Sequence, residues 1–161
     1  MNKSLKNPEL FHQEAFVAGT WQSASSGDTL EVKNPFTGER IGSVPSLSAD
    51  ETKEAVRLSE LALADWSAKT ASERATILHR WADLIDDNAD DLAIIMTTEQ
   101  GKPLKEARGE INYANSFIRW FADEAKRVYG DVIPSANKSL RYVVLKQPIG
   151  ECAAITPWNY P

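Results

Sequence analysis

Apolar positions along the chain change their spacing several times, and each change predicts a change of element. Phe16-Val-Ala-Gly-Thr-Trp21 sets strand-forming residues around a glycine, the pattern of a tight hairpin. Before it, Leu10, Phe11 and Phe16 form a short apolar patch, read as one amphipathic turn lying on a neighbouring surface. Thr29–Lys33 alternates apolar and polar and predicts a half-buried strand. Asn34-Pro-Phe-Thr-Gly38 is a turn by its Asn-Pro and Gly, and Arg40–Val44 is the return strand.

Helical spacing then takes over. Ser48 and Glu51 stand at the distance of a capping box, and Val56, Ser59, Leu63 and Trp66 follow as one stripe. Thr70 and Glu73 repeat the box and open a second helix, with Ile77, Leu78, Trp81, Leu84 and Ile85 on one face. A third helix, about 89–99, carries Leu92, Ile95 and Met96 inward and stops at Gly101. The longest element is expected from Pro103 to Tyr129. Its apolar positions Leu104, Ala107, Ile111, Ala114, Ile118, Phe121, Ala125 and Val128 repeat every seven residues. Tyr113, Phe117 and Trp120 widen that seam into a stripe suited to a helix packed inside a mixed domain.

The pattern returns to strands after Gly130. Leu140–Lys146 is rich in β-branched and aromatic residues, with Asp131–Pro134 and a polar loop before it. Cys152–Ile155 is a short apolar run, expected to be a strand buried on both faces. Thr156-Pro157 ends it, because proline brings no N–H to a ladder. Trp158 and Asn159 then occupy a tight turn, and Pro161 fits the first position of a helix.

Composition narrows the classes. The 161 residues are 42% hydrophobic and 25% charged, which suits a packed globular chain. A net charge of −5, with the 18 Lys and Arg scattered, argues against a nucleic-acid partner. No apolar run approaches bilayer thickness, so no membrane partner is expected. The N-terminus has no apolar core of a secretion signal, and one cysteine fits a reducing compartment, so the expected location is cytoplasmic. The Asn-Lys-Ser triplets at Asn2 and Asn137 are then chance matches.

Candidate chemistry is sparse. No Gly-x-Gly-x-x-Gly follows a strand, and neither histidine nor any carboxylate shows metal-ligand spacing, so no metal is expected. Cys152 sits in an apolar run without a neighbouring base, the setting of a small core residue rather than a nucleophile. Asn159, on a turn beyond a strand, has two readings. Its amide is either an uncharged donor to an oxyanion or a support for its own turn.

Ile155-Thr-Pro-Trp-Asn-Tyr-Pro161, preceded by Gln147-Pro-Ile-Gly150, resembles the first nucleotide-binding strand and turn of the aldehyde dehydrogenase superfamily. Glu99-Gln-Gly-Lys-Pro103, Tyr129-Gly-Asp-Val-Ile-Pro134 and Asn34-Pro-Phe-Thr-Gly38 resemble that family's N-terminal third, in the same order. Within it, Met96–Leu104 and Gly109–Phe121 look most like bacterial succinate-semialdehyde dehydrogenases.

The resemblance implies an α/β fold, namely the N-terminal part of an aldehyde dehydrogenase-like architecture. Residues 1–47 would be an arm with β-hairpins, and 48–130 the helical part of the cofactor-binding domain. Residues 131–147 would form a bridging, oligomerising strand region, and 148–161 the start of a Rossmann-like sheet. It further implies oxidation of succinate semialdehyde to succinate, as in 4-aminobutyrate degradation, with NAD or NADP. In that chemistry a cysteine thiolate attacks the aldehyde, hydride leaves to the nicotinamide, and water activated by a glutamate releases the acid.

By the same resemblance Ile155, Thr156, Pro157, Trp158 and Asn159 line the cofactor, Asn159 is the oxyanion-hole amide, and Tyr113 and Phe117 line the substrate tunnel. The partners implied are a small aldehyde and, in a full-length parent, further copies of the chain. The family's nucleophilic cysteine and general-base glutamate lie later than Pro161, so this chain alone is expected to be inactive. Two other readings stay open: a helical interaction module without catalysis, and a dinucleotide-binding piece without turnover.

Overall fold

The computed structural model describes residues 4–161, so Asn2 of the first triplet lies outside the described residues. Strands β1 (Ala15–Val17) and β2 (Thr20–Gln22) form an antiparallel hairpin, as do β3 (Thr29–Lys33) with β4 (Arg40–Pro45). Helices α1 (Ala49–Ala68), α2 (Ala71–Asp87), α3 (Ala89–Gln100) and α4 (Leu104–Glu124) follow, and β5 (Asp131–Ile133) pairs with β6 (Tyr142–Val144). The loop of the first hairpin places Ala18 and Gly19 at φ 49° and 86°, the paired positive angles of a type I′ turn. Such a turn matches the right-handed twist of the two strands it joins.

Both expected capping boxes form. Ser48 Oγ accepts from Glu51 N at 3.2 Å while Glu51 Oε2 accepts from Ser48 N at 2.7 Å, and Thr70 and Glu73 repeat the exchange. Each box satisfies two backbone donors that a helix start leaves open. Glu51 also accepts from Ser25 N at 2.7 Å, tying the loop after β2 to α1. These backbone donors hold the Glu51 carboxyl down to about 2.

The core is made of small residues. Ala93, Ala107 and Ile111 are buried together, with Ile85, Ala89, Leu92 and Met96 packed around them. Ala82 and Ala122 are also fully enclosed on α2 and α4, which pack against each other. Alanines at the seam let the helix backbones approach closely and leave room for polar cross-links. Buried Asn115 donates to Ala82 O at 3.0 Å and to Asp86 Oδ1 at 2.6 Å, and Arg119 spans Asp83 and Asp86. His79 Nε2 meets Asp123 Oδ1 at 3.1 Å on the same seam.

Several expectations need correction. Helix α4 ends at Glu124, and its continuation tightens into a 3-10 turn at Ala125–Arg127 instead of running to Tyr129. The broad stripe on α4 is covered only along its small-residue edge, so Tyr113, Phe117, Trp120 and Phe121 stay exposed. Helix α1 buries none of its stripe, and Val56 and Trp66 face outward. On α2, Ile77, Trp81 and Leu84 are likewise exposed. The strand expected over 140–146 contracts to Tyr142–Val144. Cys152–Ile155 is not a strand, and Ile155 is 98% exposed. Strand geometry persists through a ladder to a neighbour, and no described strand lies beside this segment.

Two glycines hold close approaches. Gly101 ends α3 at φ 80°, and a Cβ there would come within 2.9 Å of Pro35 Cγ. A Cβ on Gly130 would collide with Val144 O, so β6 reaches β5 only past a bare Cα.

Candidate functional site

The turn carrying Asn159 is closed by Tyr160 N donating to Pro157 O at 3.0 Å. Trp158 and Asn159 are thus the two central residues of a four-residue turn. The turn is tied to the helical layer by side chains from the α3–α4 junction. Gln100 Nε2 donates to Trp158 O at 3.0 Å, and Lys102 Nζ donates to Asn159 O at 2.7 Å. Lys102 also donates to Glu110 on α4, and its ammonium lies 4.4 Å from the centre of the Tyr160 ring. The Lys102 and Glu110 side chains are 11% and 9% exposed, so this is a desolvated ion pair rather than a surface one.

Lys102, Glu110, Asn159 and Tyr160 border a cavity of about 780 Å³ between the turn and the first turns of α4. Asn159 and Tyr113 both line it, which brings two of the sequence-predicted site residues together. Phe117 lines the next groove along α4 with Trp120 and Phe121. Its ring meets Tyr113 edge-to-face, 4.9 Å between centroids, so the two grooves adjoin through an aromatic pair.

Ile155, Thr156, Pro157 and Trp158 are exposed along the approach to the turn, Trp158 at 68%. Cys152 is exposed too, and its Sγ finds only Gly150 O, at 3.9 Å. That exposure corrects the expectation of a core residue, yet among the described residues no base or cation is bonded to the thiol. Among the described residues no cluster of three or more His, Cys, Asp or Glu could hold a metal ion. No helix among them is long and apolar enough to cross a membrane.

Three buried or half-buried groups were not singled out from the sequence. Gln100 and Lys102 entered there within the run Glu99–Pro103, and Glu110 within Gly109–Phe121, with no role assigned to any of them. The run Glu99–Pro103 did carry the resemblance, but residue spacing alone does not aim its side chains at a turn more than fifty residues later. Burial also pushes the Glu99 carboxyl up, in the same junction.

An α/β chain with this helical layer and this Trp-Asn turn defines a class. The aldehyde dehydrogenase family model matches residues 21–161, and the chain belongs to that family. It is 57% identical over 157 residues to the glutarate-semialdehyde dehydrogenase of Pseudomonas aeruginosa, covering 98% of this chain and 32% of that protein. It is 54% identical to the NADP(+) succinate-semialdehyde dehydrogenase of Escherichia coli, covering 98% and 33%. The crystal structure of an aldehyde dehydrogenase from Brucella melitensis biovar abortus superposes with a TM-score of 0.96 at 57% identity, covering 98% of this chain and 33% of that one. The chain thus spans about a third of the length of the curated relatives it matches.

Proposed function

We propose that these residues form the N-terminal part of an NAD(P)-dependent dehydrogenase for an aldehyde that carries a distal carboxylate, succinate semialdehyde first and glutarate semialdehyde beside it. The observation that carries this reading is the cavity shared by Asn159 and Tyr113, in a chain 54–57% identical to dehydrogenases of those two aldehydes. Asn159 is the oxyanion donor. An amide N–H₂ stabilises the oxygen that gains charge when a thiolate adds to an aldehyde, without adding a fixed charge of its own. Tyr113 and Phe117 wall the approach with apolar ring faces and exclude water from the aldehyde carbon.

The residues present fit one part of a nicotinamide dinucleotide. Exposed Ile155 and Trp158 offer apolar surface to a ring, and Thr156 offers a hydroxyl to a ribose. Ile155, Thr156, Pro157, Trp158 and Asn159 would hold it, and when bound the dinucleotide accepts hydride. No Lys or Arg lies within 155–159, so phosphate charge is met elsewhere. The sole cysteine lacks a base, which supports inactivity of these 161 residues on their own.

In this reading residues 1–47 are an arm, 48–130 the helical part of the cofactor domain, 131–147 a bridging region and 148–161 the beginning of the nucleotide-binding sheet. The β5–β6 hairpin, with Val132 at 76% and Val143 at 63% exposed, then pairs copies of the enzyme in the cytoplasm. The exposed aromatic face of α4 would equally suit an interaction module, but the high identity over nearly the whole chain to enzymes favours catalysis.

The test is aldehyde-dependent reduction of NAD or NADP by the 161 residues and by the product of any coding frame that continues past Pro161. The expected result is turnover of both semialdehydes by the longer product and none by the 161 residues. Asn159→Ala in the active product should lower kcat by about 10²–10³-fold with KM little changed. Full activity without the Asn159 amide would sink the oxyanion assignment.

A further inference from the structure

We propose that Lys102, braced by Glu110 and assisted by Gln100, is the positioning residue that aims Asn159. This inference rests on the reading of Asn159 as the oxyanion donor. The backbone on either side of the Asn159 Cα consists of two peptide planes, one ending in Trp158 O and one in Asn159 O. Because each peptide unit is planar, fixing both planes fixes φ and ψ of Asn159, and with them the direction of its Cα–Cβ bond. The structure ties both. Gln100 Nε2 holds the Trp158 carbonyl at 3.0 Å, and Lys102 Nζ holds the Asn159 carbonyl at 2.7 Å.

The donors are themselves held. Gln100 is the last residue of α3 and only 8% exposed, so few rotamers are open to it. Lys102 has three donor positions, of which one goes to Glu110 and one to the Asn159 carbonyl. Its ammonium also faces the Tyr160 ring, which adds an attraction from the following residue. The partners lie two residues apart, on either side of the left-handed Gly101. The α3–α4 junction thus acts as a two-point clamp on a segment that has no strand partner of its own.

A charged clamp is well suited to this task. With both side chains nearly enclosed, separating Lys102 from Glu110 leaves an unpaired, desolvated charge, so the pair has one favourable arrangement. A surface lysine would instead sample many rotamers and leave the Asn159 carbonyl free.

The experiment is backbone and side-chain amide relaxation by NMR on the 161-residue chain, comparing wild type with Lys102→Met, Lys102→Arg and Gln100→Ala. In wild type the Asn159 and Tyr160 amides should have order parameters near those of the helices, about 0.85. Lys102→Met should drop them below about 0.6, the flexible range, with Ala107 and Ile111 on α4 unchanged. Lys102→Arg, which keeps charge and donors, should restore most of the order, and Gln100→Ala should loosen Asn159 without disturbing the ion pair.

Turn amides that stay rigid in Lys102→Met would overturn the proposal. So would a loss of order spread equally over α4, which marks a merely structural role. Adding NADPH to the wild-type chain separates the two readings. A clamp that behaves as described around a turn that ignores NADPH leaves the positioning intact and removes the function assigned to the turn.

Discussion

Helices α2–α4 and the segment 148–161 are ordered by different means. In the helical layer, order comes from burial: Ala82, Ala93, Ala107 and Ala122 are enclosed completely, and Ile111 is 6% exposed. In the C-terminal segment almost nothing is buried. Ile149, Ile155 and Trp158 are 93%, 98% and 68% exposed, and the turn is held by hydrogen bonds from Gln100 and Lys102. The first region would survive the loss of any single polar contact, because its stability is spread over packed surface. The second depends on two donors. The same kinds of residue therefore carry opposite weight in the two places, and the candidate chemistry sits in the region with the least packing.

The comparison breaks first at isoleucine. Ile111→Ala removes a side chain from the cluster of enclosed residues around Ala93 and Ala107 and should cost about 2–5 kcal/mol by urea denaturation. A loss under about 1 kcal/mol would mean that the helical layer is not packed as described. Next comes Asn115→Ala, which strips the α2–α4 seam of its bonds to Ala82 O and Asp86. A loss of about 1–3 kcal/mol is expected from a denaturation midpoint shift, and no shift would show the seam to be held by the alanines alone.

A gentler probe is pH. The Glu51 carboxyl is depressed by the backbone donors of Ser25 and Ser48, so its stabilising charge is fully present above the ordinary carboxylate pKa, roughly 4.3. That contribution is lost as pH falls through the folded value of about 2. Carboxyl NMR should show Glu51 titrating near there, with the Ser25 amide moving in step. Glu51→Gln should remove the step, and a Ser25 shift that persists in that variant would refute the link. The smallest effect is Ile155→Ala. At 98% exposure it should change stability by no more than about 0.5 kcal/mol while weakening NADPH binding measured by fluorescence, the reverse of what Ile111→Ala does.

Local signals in the sequence carried far. Both capping boxes, the Gly101 stop and the two N-terminal hairpins formed where short-range pattern placed them, because each is decided by residues a few positions apart. Which face of each helix would be covered was much less legible. On α4 the seam keeps Ala107 and Ile111 of the seven-residue repeat, adds Asn115 and Ala122, and leaves Phe117, Trp120 and Phe121 exposed. Periodicity reports that a face is apolar, not which neighbour arrives. The Cys152–Ile155 run shows the same limit, since its composition suits a buried strand but pairing depends on a partner edge.

For the site, family resemblance named the Trp-Asn turn and Tyr113, and in the fold Asn159 and Tyr113 line one cavity, while their roles rest on the proposal. Gln100 and Lys102 were visible as part of a motif, whereas their long-range bonds to Trp158 and Asn159 emerge only in three dimensions.

The most direct test of the account is a titration of the isotopically labelled chain with NADP or NAD, followed through the Trp158 indole and the amides of residues 155–159. The account predicts saturable shifts confined to that stretch and the neighbouring Gln100–Lys102 junction. Shifts that never appear, or that gather instead on the α1 or α2 faces, would contradict it.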